Sequence, residues 1–313
     1  MRYIEDFKED DHIVGHYFCK QKANLKTRAG KTYLSLKLQD KTGVIEAKVW
    51  ELSNDIQAFD EKDYIKIDGV VLAYQNDLQM KVSKIRRSEK GEYLPEDYVP
   101  CTEKDIQSLF DDLNAYIKTV SDIYLRSLLK RIFGNAEIAD VFKIHSAAKT
   151  MHHSYMGGLL EHTLSVVSIC DFLSSKYKHV NRDLLITAAM LHDIGKIYEL
   201  SPFPFNEYTD EGQLLGHSFL GIELVSRGAA EIANFPAKLL ALLKHCLLSH
   251  HGEYEYGAAK RPKIIEAYIL HCADDADAKI KAFETALSAD NTQSAWIGYD
   301  KCLERNLRKS GCD

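Results

Sequence analysis

The spacing of apolar and polar positions changes once along the chain, near Arg87. Before this point, β-branched and aromatic residues alternate with polar ones in short segments bounded by turn residues, a pattern typical of β-strands. Ser53 to Phe59, between the third and fourth segments, is expected to form a short helix or an irregular crossing. The alternation predicts five strands, which are Ile13 to Gln21, Thr32 to Gln39, Val44 to Trp50, Tyr64 to Tyr74 and Leu78 to Ile85.

The five predicted strands favour a small closed barrel over a sandwich, because they occupy a short stretch and are joined by tight turns such as Asp40 to Gly43. The OB-fold is the leading candidate among such barrels. The next stretch, Ser88 to Pro100, contains two prolines, a glycine and several charges, and we interpret it as a linker.

After this stretch, apolar residues recur every three or four positions, which predicts α-helices. The helices expected are 106–117, 123–132, 159–177, 182–191, 218–232, 236–248 and 262–287. The fold class is therefore multidomain α+β, with an N-terminal five-stranded OB-fold barrel followed by an all-α helical bundle. We expect the barrel over residues 1–87, the linker over 88–100, the bundle over 101–290 and a polar C-terminal tail, with no assigned element, over 291–313.

The composition narrows the class of protein without fixing its substrate. An apolar fraction of 45% over 313 residues is normal for globular proteins and argues against a mainly disordered chain. The net charge of -6 means that a polyanionic partner must be held by a local patch or through metal ions. Seven cysteines without a Cys-x-x-Cys pair favour free thiols in a reducing compartment, and no leader or membrane span is evident, so we expect a cytoplasmic protein.

Histidines and aspartates recur at the ends or inner faces of the predicted helices. The nearly uninterrupted apolar run Leu184 to Leu191 leads directly into His192-Asp193, and burying an unpaired carboxylate is costly unless a cation accompanies it. Asp193 as a helix cap paired with Lys196 is the simpler alternative. Ligands from separate helices can converge in a bundle on one or two divalent ions. The other candidate groups are Glu161-His162, His217, His250-His251 and Asp274-Asp275.

Gly158 to Thr163 followed by Leu191 to Lys196 resembles the H…HD…D signature of the HD superfamily of metal-dependent phosphohydrolases. Together with the predicted barrel, the chain resembles the YhaM-type 3'-5' exoribonucleases of Gram-positive bacteria. Further parts of the likeness are Gly157 to Val166, Ser249 to Asp277, and Asp40 to Gly43 with Trp50.

The resemblance implies a centre with two divalent ions, in which Asp193 is the bridging carboxylate. Asp275 and Asp277 stay open as alternatives to Asp274, and His251 is either a further ligand or a donor to a phosphate oxygen. The family implies manganese, while a six-coordinate set of nitrogen and oxygen donors also admits cobalt, iron or magnesium. The implied ligands are His162, His192, Asp193, His217, His250 and Asp274.

Two sets of residues are expected to contact the substrate. At the centre, Asp193 and Lys196 are the catalytic candidates, with Lys196 as a clamp for a phosphate oxygen or, equally, a lysine stabilising a helix end. His153 is expected to reach the substrate from a loop. In the barrel, lysines and an arginine outnumber acids between Lys20 and Lys48, and aromatic residues offer stacking surfaces or core packing. The barrel candidates are Lys20, Lys22, Arg28, Tyr33 and Trp50, with Tyr17 and Tyr74 as further rings.

Three functions compete. The first is a metal-dependent exonuclease that hydrolyses single-stranded RNA from the 3' end to nucleoside monophosphates, with single-stranded DNA as a further candidate substrate. The second is an HD phosphohydrolase for small nucleotides or cyclic dinucleotides, with a barrel used in assembly or regulation. The third is a nucleic-acid-binding regulator, which the complete ligand series disfavours. Association into a homo-oligomer is left open.

Overall fold

The structure is a computed structural model that describes residues 2–27, 29–74, 77–149, 153–203, 205–290 and 294–311. The chain divides into two compact units, Met1–Cys101 and Thr102–Asp313. Within the described residues, no helix is long and apolar enough to cross a lipid bilayer.

The first unit contains a closed five-stranded barrel, which confirms the predicted OB-like fold. Its strands follow the order β1-β2-β3-β5-β4, in which β3 and β5 are parallel and the other pairs are antiparallel. The stretch between β3 and β4 is irregular and pairs with β5 at a bridge from Ile56 to Ile85. The strands are β1 (His12–Lys26), β2 (Thr32–Asp40), β3 (Gly43–Val49), β4 (Tyr64–Tyr74) and β5 (Asp77–Arg87).

Strand β1 is longer than the sequence pattern predicts, because a bulge between Cys19 and Gln21 lets one strand serve two neighbours. Its first half pairs with β4 and its second half with β2, which closes the barrel. The alternation in β2 and β3 sends one set of residues inward and the other outward. The barrel core includes Tyr17, Leu36, Leu38, Ala47, Ile65 and Met80.

Residues 88–100, expected to be a linker, instead pack against the barrel. The Tyr93 ring stacks on Tyr64 with centroids 4.0 Å apart, and Tyr98 meets the same ring edge-on. Tyr98 and Val99 are buried. The prolines and the glycine that indicated a linker are compatible with an irregular segment fixed by aromatic contacts.

The second unit is a helical bundle around one large apolar core, as predicted. Helices α4, α5 and α9 pack on one another, so the residues that they carry can meet. Helix α3 was not predicted, although Asn135 caps its first turn. The helices are α1 (Ile106–Thr119), α2 (Ile123–Phe133), α3 (Ala136–Ile144), α4 (Gly158–Ser174), α5 (Arg182–Leu191), α6 (Lys196–Glu199), α7 (Asp210–Ala230), α8 (Ala237–Ser249) and α9 (Ile265–Ala289).

The polar C-terminal segment, to which the sequence assigned no element, contains a β-hairpin. Strand β6 (Trp296–Asp300) pairs antiparallel with β7 (Arg305–Arg308). The Asp300 carboxylate accepts hydrogen bonds from the backbone N–H groups of Cys302 and Leu303, which fixes the turn. The Lys309 ammonium pairs with Asp290 at the end of α9, at 2.7 Å.

Candidate metal centre and nucleic-acid interface

Two of the histidines that the sequence singles out lie at the C-terminal ends of helices and are oriented in the same way. The imidazole of His192 donates its Nδ1–H to the carbonyl of Ala189 at 2.8 Å, and that of His250 donates to Leu247 at 2.7 Å. Carbonyls in the last turn of a helix lack an intrahelical partner, so these side chains satisfy them. The same contacts turn both Nε2 atoms into the bundle.

A first group of donors gathers around the Nε2 of His162, which comes from α4. It lies 3.3 Å from the Nε2 of His192, 3.5 Å from Oδ2 of Asp193 and 3.2 Å from Oδ1 of Asp274 in α9. His162, His192 and Asp193 are buried. We call these four residues the first subsite.

A second group forms on the other side of the same aspartate. The Nε2 of His217 lies 3.4 Å from Oδ1 of Asp193, 3.4 Å from the Nε2 of His250 and 3.1 Å from that of His251. Asp193 therefore offers one carboxylate oxygen to each group. We call His217, His250, His251 and Oδ1 of Asp193 the second subsite.

A kink in α7 positions His217. Gly216 has a left-handed φ of 73°, which interrupts the helix and leaves the backbone N–H of His217 outside the helical ladder. Glu199 in α6 accepts this N–H at 3.0 Å and also the Nδ1–H of the same residue at 3.0 Å. Gly195 allows the approach, because a Cβ there would lie 2.0 Å from the carbonyl oxygen of His217. Glu199 was not identified from the sequence, in which no motif marks it.

The donor set fits divalent cations. Each of the five imidazoles is bonded through Nδ1 to an acceptor, which leaves the lone pair of Nε2 free to bind a metal. Donors about 2.1 Å from one ion stand about 3.0–3.4 Å apart when they are adjacent, and most distances in both subsites lie near this range. The acceptors are Asp277 for His162, Ala189 for His192, Glu199 for His217, Leu247 for His250 and Tyr256 for His251.

Burial and neighbouring charge act differently on the two subsites. Burial and the nearby imidazoles lower the pKa of His250 well below its usual value, which keeps this ring neutral and able to ligate. Burial also favours a low pKa for His162, but Asp193, Asp274 and Asp277 outweigh it and raise the pKa well above the usual value. The first subsite is thus rich in negative charge and attracts cations.

The structure separates the three aspartates of α9. Asp274 faces the first subsite, whereas Asp275 is half-exposed and pairs with Lys279 at 2.8 Å. Asp277 lies behind His162 and accepts its Nδ1–H at 2.7 Å. Burial favours a raised pKa for Asp277, but hydrogen bonds from His153, His162 and Ser165 outweigh it and lower the pKa far below the usual value.

His153, expected to contact substrate, lies instead behind the first subsite. Its ring is buried, with Nε2 3.1 Å from Asp277 and Nδ1 2.8 Å from the hydroxyl of Tyr155. The backbone of His153 has a left-handed φ of 56°, which directs the side chain inward from the loop. Glu161 accepts from Tyr155 and Thr102, so it joins this network and does not contact a ligand imidazole directly.

The positions of Lys196 and His251 bear on the alternatives that the sequence left open for each of them. The ammonium of Lys196 lies 2.7 Å from Oδ2 of Asp193, and 18% of its side chain is exposed. It can therefore pair with the aspartate and face an incoming anion. The imidazole of His251 stands with those of His217 and His250, a position that favours ligation over contact with phosphate.

The barrel carries a partly exposed aromatic and basic surface at the start of β2, the end of β3 and the end of β4. Tyr33 and Trp50 stack with centroids 4.6 Å apart and an interplanar angle of 25°. The ammonium of Lys48 lies 5.8 Å from the Trp50 centroid and 5.5 Å from that of Tyr74. Trp50 and Tyr74 are exposed. These four side chains form what we call the barrel platform.

Other barrel candidates lie elsewhere. Tyr17 is fully buried against Phe7, so it is a core residue and not a stacking surface. The ammonium of Lys22 donates to the carbonyl of Phe59 and sits 4.2 Å from its ring, which gives this lysine a packing role. Lys20 is exposed at the bulge of β1. Arg28 lies outside the described residues.

Comparisons with known proteins agree with this architecture. A family model described as HD domain matches residues 159–279, and one described as OB-fold nucleic acid binding domain matches residues 20–87. The 3'-5' exoribonuclease YhaM of Geobacillus sp. (strain WCH70) is 34% identical over 260 residues, which cover 82% of this chain and 79% of that protein.

Two solved structures give much weaker likenesses. The second OB-fold domain of replication protein A from Methanococcus maripaludis is 21% identical, has a TM-score of 0.24, and matches 29% of this chain and 96% of that one. Aspartyl tRNA synthetase from Entamoeba histolytica is 14% identical, has a TM-score of 0.23, and matches 75% of this chain and 55% of that one. Neither superposition supports a conclusion.

The extent of the match to the Geobacillus protein is what identifies the chain. The shared residues extend well beyond the 121-residue HD match, and both expected domain types are recovered. The chain therefore belongs to the family of the YhaM-type 3'-5' exoribonucleases.

Proposed function

We propose that the protein is a divalent-metal-dependent 3'-5' exoribonuclease that degrades single-stranded RNA to nucleoside monophosphates. The observation that carries this proposal is the shared carboxylate of Asp193, which has two imidazoles near each of its oxygens. His162 and His192 lie near Oδ2, and His217 and His250 lie near Oδ1. Such a donor set suits two adjacent cations, and paired cations are a recurrent solution for hydrolysis of phosphodiesters. Manganese is the metal that we favour.

The chain's own groups have distinct tasks in this proposal. Bound cations supply charge neutralisation and water activation for phosphodiester cleavage. Asp193 holds the two subsites at a fixed spacing. Lys196, paired with Asp193 and partly exposed, donates N–H to a non-bridging oxygen of the scissile phosphate. Asp277 and Glu199 hold His162 and His217 in the orientation that presents Nε2.

The barrel platform supports single-stranded RNA as the substrate class. Exposed rings accept bases by stacking without sequence preference, and lysines beside them hold the backbone. Asp40, one of the two acids in the basic stretch, is buried at the end of β2 and accepts the backbone N–H groups of Thr42 and Gly43, so its carboxylate does not face an incoming phosphate.

The test uses the full chain with single-stranded RNA labelled at either end, in manganese and in chelator. We expect nucleoside monophosphates released at once from 3'-labelled RNA, and a ladder of shortening products from 5'-labelled RNA. Immediate release of the label from the 5' end would contradict the polarity, and unchanged cleavage in chelator would contradict the metal dependence.

Parallel arms address the remaining substrates. Single-stranded DNA of the same sequence tests whether the site requires a 2'-hydroxyl, and we expect slower cleavage. Mononucleotides and cyclic dinucleotides test the alternative of a small-nucleotide phosphohydrolase. Turnover of these small molecules together with intact RNA would replace the proposed function by that alternative.

We also propose that the protein works in a reducing compartment, in keeping with a cytoplasmic nuclease. The six cysteines in the described part of the chain are all free thiols, which is the usual state in the cytosol. Activity that is unchanged by a thiol reductant and lost on oxidation would support this assignment.

A further inference from the structure

The C-terminal hairpin has one buried and one exposed face. Leu307 is 2% exposed and lies opposite Gly298 in the pairing of β6 with β7. Trp296 and Tyr299, by contrast, are 58% and 62% exposed. Two large aromatic rings exposed to solvent on a short hairpin indicate a surface that binds a partner.

A bulge places these two rings on the same face. Residues three apart in a regular strand point to opposite sides, because side chains alternate. The register shifts between Trp296 and Gly298, and Gly298 has a left-handed φ of 95°. Trp296 therefore pairs with Arg308 and Tyr299 with Asn306, two positions of β7 that share a face.

The charge of the hairpin is opposite to that of the whole chain. Residues 296–308 contain Lys301, Arg305 and Arg308 against Asp300 and Glu304, a net charge of +1, whereas the chain carries -6. Asp300 is engaged in the turn. Exposed aromatic rings beside a cationic side chain are the combination with which proteins hold single-stranded nucleic acid.

We propose that the exposed face of the hairpin is a second contact for single-stranded RNA, in which Trp296 and Tyr299 stack on bases and Arg308 holds a phosphate. This inference rests on the proposed function, since it assigns the same substrate to a second surface. The contact belongs to the helical unit, so RNA binding is not confined to the barrel.

The chain contains only two tryptophans, Trp50 and Trp296, which makes the contact directly observable. In the Trp50→Phe variant, Trp296 is the sole tryptophan, and stacking of a base on it should quench its emission. We expect saturable quenching by single-stranded oligouridine in chelator, at the concentrations at which anisotropy of the labelled RNA reports binding. Cleavage of the same RNA in manganese is measured in parallel.

Variants then test the face. Trp296→Ala should weaken RNA affinity by about fivefold or more, Trp296→Tyr should restore most of it, and Gly298→Val should resemble Trp296→Ala because it disfavours the bulge. Phe172→Ala is the matched control, since Phe172 is an exposed ring 4.8 Å from the ammonium of Lys176 in the same unit. The RNA affinity of the Phe172→Ala variant should equal that of the unchanged protein.

The outcomes separate the two proposals. RNA that binds and is cleaved without any change in Trp296 emission, and with equal affinity for Trp296→Ala, would overturn the hairpin contact alone. RNA that is neither bound nor cleaved would overturn the proposed function and the hairpin contact together. Emission of Trp296 that changes with protein concentration in the absence of RNA would assign the face to contact between copies and overturn the inference.

Discussion

The adjacent residues Asp274 and Asp275 offer a matched pair for testing the first subsite. Both are aspartates in α9, but only Asp274 lies near His162, at 3.2 Å. Asp274→Ala should abolish RNA cleavage and weaken manganese binding, whereas Asp275→Ala should leave both unchanged. Cleavage rates and calorimetric titration with manganese measure the difference. Equal loss in the two variants would contradict the assignment.

Asp277 should act through His162 without binding a cation itself. Asp277→Ala removes the acceptor that orients the imidazole, so we expect manganese affinity to fall by about 10–100-fold. Glu284→Ala, at an exposed position of the same helix, is the control. Excess manganese should rescue cleavage by Asp277→Ala and not by Asp274→Ala. Failure of this rescue would assign Asp277 to the ligand set.

For single residues, the sequence predicts which side chains belong to the metal centre better than it predicts what each of them does there. The apolar run before His192-Asp193 is enough to predict that these two ionisable residues are buried at the end of a helix. Asp274 and Asp277, however, are separated by one helical turn and point to similar sides of α9, so only the packing of α4 on α9 decides which one meets Nε2 of His162 and which meets Nδ1. The left-handed backbone of His153 likewise has no sequence signal, since histidine does not require it.

At the scale of elements, the close packing of α6 against α7 depends on Gly195, the residue that precedes α6. A Cβ at this position would meet backbone atoms of His217 and Gly221, which cannot move separately from the helix. Gly195→Ala should lower the stability of the helical unit by about 1–3 kcal/mol and displace His217. In Gly228→Ala the nearest atom is a methyl group of Leu128 at 3.0 Å, which can rotate away. Thermal unfolding of both variants compares them, and equal melting temperatures would contradict this account.

On the barrel platform, Lys48 should contribute electrostatically to RNA affinity. Lys48→Ala should lower the slope of log affinity against log salt by about 0.7, the value for one phosphate contact on a single strand. Lys8→Ala changes an exposed lysine outside the strands and should not alter the slope. Anisotropy at several salt concentrations provides the slopes, and identical values for both variants would remove Lys48 from the interface.

The periodicity of apolar residues predicts most of the strands and helices, and each element that it fails to predict has a local cause. The strand alternation and the helical spacing predict the barrel and the bundle because each element buries one face. The hairpin β6–β7 was missed because its bulge interrupts the alternation. Helix α3 could have been found from the cap at Asn135 and the spacing of Ala139 and Phe142, both buried.

For the whole molecule, metal binding should stabilise one unit only. All the proposed ligands lie in Thr102–Asp313, and the two tryptophans lie in different units, Trp50 in the first and Trp296 in the second. Manganese at 100 times its dissociation constant should stabilise the helical unit by about 2.7 kcal/mol, a rise of about 5–10 °C in its melting temperature. Trp296 emission in Trp50→Phe should show the shift, and Trp50 emission in Trp296→Phe should not. Equal shifts for both probes would mean that the units unfold together.

The division of the carboxylate of Asp193 between two subsites has a consequence for how the centre fills. An ion bound at Oδ2 would fix the rotation of the carboxylate and would thereby orient Oδ1 for a second ion on the side of His217. The two binding events are therefore linked through one side chain. Loading of the centre should be cooperative, and activity should rise with a Hill coefficient above one as manganese is added.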